Sequence, residues 1–162
     1  MQDQIVHALC AQRAQIHAHW ETLLRTERVT SPMANPDTLV FLIDSTLTEI
    51  FAALHGDGAR HRNQRSAFEC PCGRNPLLAY FVAGEQVMLE ALILIQASTP
   101  GLQPAERDAA MGELLTLVRS IARREIKAFC AVCQHRHEET HTTIPFPINQ
   151  AQAFSGPCNF SR

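Results

Sequence analysis

The least polar stretch of the chain, residues 76–97, reads PLLAYFVAGEQVMLEALILIQA. Its apolar side chains leave almost no polar face, which is typical of a helix packed in the middle of a bundle. The stretch approaches the length of a membrane span, but Glu85, Gln86 and Glu90 interrupt it, and charged groups are costly in lipid. We therefore predict a central bundle helix whose acidic side chains bond to a neighbouring polar residue or arginine, or reach the bundle edge.

Three further segments carry apolar residues at helical spacing: 4–25, 36–54 and 104–137. The second and third of the four predicted helices each follow an Asn-Pro pair, at positions 35–36 and 75–76. Asparagine caps helix starts, and proline fits the first turn. The chain shows neither strand-type alternation nor an internal repeat. The sequence thus predicts an all-α, antiparallel four-helix bundle.

The ends of the predicted domain follow from residues that interrupt helices. The second helix should end at Gly56-Asp57-Gly58, whose glycines permit left-handed backbone. A polar loop should then occupy residues 59–75, before the third helix. Because proline and polar residues dominate after His141, we predict one helical domain over residues 1–141 and an extended, proline-containing tail over 142–162.

The composition is that of an ordinary globular protein. The chain has 162 residues, enough for one domain with a core, and is 46% hydrophobic and 19% charged. Its net charge of −2 does not indicate a nucleic-acid or membrane-surface partner. The N-terminus lacks the basic and apolar regions of a secretory signal. We therefore expect a cytoplasmic protein, in which reducing conditions disfavour disulfides.

Four of the six cysteines lie in two close pairs. Cys70 and Cys72 belong to the loop before the third predicted helix, and Cys130 and Cys133 to the end of the fourth. Such pairs are typical of tetrahedral zinc sites, because each pair supplies two ligands from one local segment. Antiparallel packing of the third and fourth helices would bring the pairs together, and His137 continues the helix face of the second pair. These five residues are the predicted metal ligands.

Zinc is the favoured ion for these cysteines, with an iron–sulfur cluster as the alternative. A redox-active dithiol and buried, inert cysteines both remain open interpretations. Residues 137–141, HEETH, match the metalloprotease pattern H-E-x-x-H. No Asp, Glu or His follows His141 to serve as a third ligand, and Pro145 ends any helix soon afterwards. We therefore interpret that match as chance.

These observations predict a non-catalytic, metal-binding regulatory or sensor protein that acts on a protein partner or as a homo-oligomer. The alternative is an enzyme, either a thiol oxidoreductase or a metal-dependent one. A closed site with four protein ligands favours structure or sensing, whereas three ligands and an open position favour catalysis. A third possibility is a bundle that binds a small ligand or mediates assembly, with incidental cysteines. Cys10 and Cys158 have no assigned role.

Overall fold

A computed structural model describes residues 1–26, 35–56 and 75–132 of the chain. Within these ranges the protein is helical and has no strand, which confirms the all-α class. A 3-10 turn, Val40–Leu42, joins the third and fourth helices. The helices are α1 (Asp3–Ala11), α2 (Arg13–Thr26), α3 (Pro36–Leu39), α4 (Ile43–His55), α5 (Leu77–Ser98) and α6 (Pro104–Val132).

The first predicted helix is in fact two helices, so the single helix over 4–25 is wrong. Gln12 separates α1 from α2, with φ −91° and ψ 10°, outside the α-helical region. Its amide N–H still donates to the carbonyls of Ala8 and Leu9, and its own carbonyl accepts from the amide of Ile16. Hydrogen bonding therefore continues through the bend. Apolar spacing continues as well, and this is why the periodicity alone could not reveal the break.

The second predicted helix begins and ends as expected, but a 3-10 turn, Val40–Leu42, divides it into α3 and α4. Asn35 Oδ1 accepts a hydrogen bond from the amide of Asp37 at 3.0 Å, and Pro36 occupies the first turn. At the other end, Gly56 has φ −76° and ψ 147°, which is extended backbone. The helix therefore ends where the sequence predicted, but Gly56 does not use the left-handed backbone that glycine permits. Gly58 lies outside the described residues.

The helix α5 occupies the centre of the described structure, packing against α1, α2 and α6. Trp20 of α2 is completely buried against it. The indole lies so close to Gly84 that a Cβ added there would sit 2.1 Å from Trp20 Cζ2. Trp20 Nε1 donates to the Tyr80 carbonyl at 3.1 Å, and the two rings are 4.8 Å apart between centroids. Glycine at position 84 therefore allows α2 to approach α5 closely.

The polar residues of α5 are paired as the sequence predicted. Glu85 accepts two hydrogen bonds from the Arg119 guanidinium of α6, at 2.8 and 2.6 Å. Gln86 Nε2 donates to Glu90 at 3.0 Å, and the second Glu90 oxygen lies 3.4 Å from His19 Nδ1. These contacts place the acidic groups at the two edges where α5 meets α6 and α2.

Two segments are long and apolar enough to cross a membrane by length and composition, Pro36–His55 and Leu77–Ser98. The most apolar window of Leu77–Ser98 is 50% buried, and that of Pro36–His55 is 39% buried. Core helices of soluble proteins meet the same criterion, so the finding is weak support for a membrane span. The expected absence of a membrane partner stays a prediction.

Candidate functional site

The start of α5 lies beside the end of α6, and Asn75 joins them. This side chain is only 4% exposed. Its Nδ2 donates to the Ile126 carbonyl and to Cys130 Sγ, both at 3.3 Å, while its Oδ1 accepts from the Leu77 amide at 3.0 Å. One asparagine thus supports the first turn of α5 and fastens it to the last turns of α6.

The antiparallel course of α5 and α6 explains why these ends meet. After α5, Gly101 adopts φ +81°, a left-handed conformation that glycine tolerates without strain. The returning helix first contacts α5 where Gln96 Nε2 donates to the Arg107 carbonyl at 3.1 Å. It then forms the Arg119–Glu85 pair and finally reaches Asn75. The two helices therefore stay in contact along the whole of α5.

Of the five predicted metal ligands, only Cys130 belongs to the described residues. It is half-buried on α6, where its sulfur accepts the Asn75 hydrogen bond. Cys70, Cys72, Cys133 and His137 lie outside the described ranges, so the proposed ligand set stays a prediction. Within residues 1–26, 35–56 and 75–132, no group of three or more His, Cys, Asp or Glu side chains is placed to hold a metal ion.

A cleft of about 200 Å³ opens near this junction, between α4, α5 and α6. On its wall the Tyr80 hydroxyl donates to Thr46 Oγ1 at 2.8 Å, and Thr46 donates to the Leu42 carbonyl at 2.9 Å. Burial raises the pKa of Tyr80 far above its usual value. The tyrosine is therefore a neutral hydrogen-bond donor at physiological pH, and both hydroxyls have partners inside the protein.

An ion-pair cluster lies at the rim of this cleft. Arg124 donates to both carboxylate oxygens of Glu49, at 2.6 and 2.7 Å, and also to Glu125 at 2.7 Å. The hydrogen bonds from Arg124 lower the pKa of Glu49, although partial burial opposes them. The same bonds raise the pKa of Arg124. This cluster links α4 to α6 electrostatically and leaves Glu49 ionised.

The sequence did not predict a second sulfur-containing cluster, which lies on α1 and α4. Cys10 Sγ lies 3.4 Å from His55 Nε2, and the His7 and His55 rings are 5.5 Å apart between centroids. Burial raises the pKa of the Cys10 thiol, while the charge of Arg13 opposes that change. The i, i+3 spacing of His7 and Cys10 is a local feature of the sequence that could have indicated this cluster. His55 lies 45 residues from Cys10 and gave no signal at all.

The described side chains therefore offer two places where a thiol meets a polar partner. At the α5–α6 junction an amide donates to Cys130, and on α1 an imidazole contacts Cys10. No protein-family model matches the chain, and neither any curated protein nor any solved structure is significantly similar to it.

Proposed function

We propose that the chain is a non-catalytic, metal-binding regulatory or sensor protein of the cytoplasm. In this proposal it is an antiparallel four-helix bundle whose cysteine-bearing loop, residues 59–75, is held against the end of α6 by zinc. The proposed ligands are Cys70, Cys72, Cys130 and Cys133, with His137 as a fifth candidate. The observation that carries the proposal is the hydrogen bond from Asn75 to Cys130.

Because the chain is continuous, the contact between Asn75 and Cys130 also limits how far away Cys72 and Cys133 can lie. Cys72 precedes Asn75 by three residues, and Cys133 follows Cys130 by three. Three residues span at most about 10–11 Å, even when fully extended. The chain therefore keeps Cys72 within that distance of Asn75, and Cys133 within that distance of Cys130. This tethering supports a site that takes two ligands from the loop and two from the helix end.

The proposed regulation follows from the chemistry of zinc thiolates. Four protein ligands close the coordination sphere, so the ion stabilises structure and has no open position for a substrate. Loss of zinc, or oxidation of the thiolates, would release the loop from the end of α6. The released segment would change the surface offered to a protein partner or to a second copy of the chain.

Elemental analysis and absorption spectroscopy of protein purified without oxygen test this proposal. We expect zinc without visible colour, and loss of one zinc per chain in the double variant Cys130→Ser, Cys133→Ser. Cys158→Ser is the matched control, because it removes a thiol outside both cysteine pairs, and it should retain the metal. Full metal content in the double variant would refute the assignment. Brown absorbance would identify an iron–sulfur cluster, and a wild-type protein without metal would favour redox or packing cysteines.

A further inference from the structure

Three metal-binding side chains cluster on α1 and at the end of α4. His7 and Cys10 are three residues apart on α1 and so share one helix face. His55, the last residue of α4, meets both: its Nε2 lies 3.4 Å from Cys10 Sγ, and its ring lies 5.5 Å from that of His7. We propose that His7, Cys10 and His55 bind a divalent ion of the zinc class, at a site separate from the cysteine pairs.

The distances in the cluster agree with tetrahedral coordination. Bonds of about 2.3 Å to sulfur and about 2.0 Å to nitrogen, at the tetrahedral angle, separate the two donor atoms by about 3.5 Å. The observed separation of Cys10 Sγ and His55 Nε2 is 3.4 Å. Two imidazoles on one such ion have ring centroids about 5 Å apart. The His7 and His55 centroids are 5.5 Å apart, with the rings inclined at 60°.

The second of these distances is the more informative. A thiol and an imidazole 3.4 Å apart also form an ordinary hydrogen bond, which requires only two groups. Edge-to-face ring stacking, with centroids about 4.5–7 Å apart, is the alternative explanation for the second imidazole, and cobalt titration separates stacking from coordination. The edge-to-face placement of His7 adds a third donor of the type that zinc accepts, next to a pair already at ligand separation.

Accessibility and charge are compatible with metal entry. His7 and His55 are exposed, and Cys10 is half-buried. As placed in the structure, the three side chains do not form a metal site. Binding therefore requires the two exposed histidines to rearrange, and exposed side chains change rotamer rapidly. Arg13, the cation that acts on Cys10, is occupied by hydrogen bonds to Asp44 and Thr48.

Binding would exchange a proton for the ion without any redox change. The Cys10 thiol loses its proton to solvent and donates an electron pair of the thiolate to the metal. The two imidazoles bind as neutral ligands, each through a ring nitrogen. Water completes the fourth position, since three protein ligands leave one open. Neither an oxidant nor a reductant takes part.

Titration of the full chain with cobalt(II) tests the inference, because thiolate-bound cobalt absorbs in the near ultraviolet. The titration uses the Cys130→Ser, Cys133→Ser background, so that it reports independently of the proposed cysteine-pair site. We expect one cobalt with a single thiolate, displaced by zinc and abolished by Cys10→Ser. Since even residues behind the ligands change metal affinity about 10–100-fold, His7→Ala and His55→Ala should each weaken binding at least about tenfold.

His19→Ala is the matched control, because it removes an exposed histidine of α2 whose partner is Glu90. It should leave the cobalt affinity unchanged. The inference fails if the background binds no thiolate-ligated cobalt, or if Cys10→Ser keeps the same absorbance and stoichiometry. Should the background be unfolded by far-ultraviolet circular dichroism, the difference between wild type and Cys10→Ser decides. The loss of one zinc per chain between wild type and the Cys130→Ser, Cys133→Ser variant judges the proposed function separately.

Discussion

Replacing Gly84 with alanine should destabilise the protein, although alanine normally favours a helix. The new methyl group would lie 2.1 Å from Trp20 Cζ2, with two further ring atoms at 2.5 and 2.7 Å. Ordinary carbon–carbon contacts are about 3.5–4.0 Å, so the indole or α5 must move by about 1.5 Å. Trp20 has no free space for this movement, because it is completely buried.

The expected size of the effect follows from three contributions. Overpacking a buried site costs about 1–3 kcal/mol. Displacing the indole also weakens its 3.1 Å hydrogen bond to the Tyr80 carbonyl, which costs about 1 kcal/mol. The higher helix propensity of alanine offsets about 1 kcal/mol of this loss. The free energy of unfolding should therefore fall by about 1–3 kcal/mol, and Tm by roughly 2–10 °C.

Urea unfolding provides the measurement, followed by circular dichroism and by the fluorescence of Trp20, the single tryptophan. Gly112→Ala in α6 is the matched control, since a Cβ there meets nothing within 4 Å. It should stabilise the protein by about 0.5–1 kcal/mol. In a Trp20→Phe background, which lacks the outer ring atoms, Gly84→Ala should cost less. The reasoning is refuted if Gly84→Ala and Gly112→Ala are equally stabilising.

Two further predictions concern hydrogen-bonded side chains in the middle of α4 and just before α5. The pKa of Glu49 is lowered in the folded protein by Arg124, so its stabilisation is present above the unfolded pKa of about 4.3 and is lost as the pH falls through the folded value. Because the pair is partly exposed, Glu49→Gln should lower the free energy of unfolding by at most about 1 kcal/mol at neutral pH. The difference from wild type should vanish in acid. The prediction is contradicted if the urea midpoints of wild type and variant, plotted against pH, stay parallel. Asn75→Ala should cost about 1–2 kcal/mol, since the Leu77 amide loses its acceptor. The same change should speed alkylation of Cys130, because truncating Asn75 uncovers the half-buried sulfur; an unchanged rate would argue against the contact.

Helix starts were the most predictable part of the fold, because their signals are local. Asn35-Pro36 and Asn75-Pro76 each combine a side-chain acceptor with a residue whose fixed φ suits the first turn. In the structure both asparagines accept a hydrogen bond from the backbone amide two residues later. Residues 76–97 form a helix that packs against α1, α2 and α6. Its most apolar window is only 50% buried, so the lack of a polar face did not predict how much of this helix is covered.

Features that depend on distant residues could not be predicted. The break at Gln12 preserves the apolar spacing, so no local pattern distinguishes a bend from a continuous helix. An arginine partner for Glu85 was foreseeable in kind, yet Arg119 itself is chosen by the register of α6 against α5. Cys10 and His55 meet because core packing places α1 beside α4, and nothing near either residue indicates the other.

Because Trp20 is buried against α5, it cannot reach its folded environment until the ribosome has made α5. Trp20 and its partner Tyr80 are 60 residues apart, so at about 5–20 residues per second the ribosome needs about 3–12 s to make the second after the first. Throughout that interval α1 and α2 can pack against α3 and α4 but not against α5, so the indole lacks the surface that Tyr80 and Gly84 provide in the folded protein. Substitutions that weaken the contact with α5 should therefore increase aggregation of the nascent chain, and reduce the yield in cells by more than the stability of purified protein suggests.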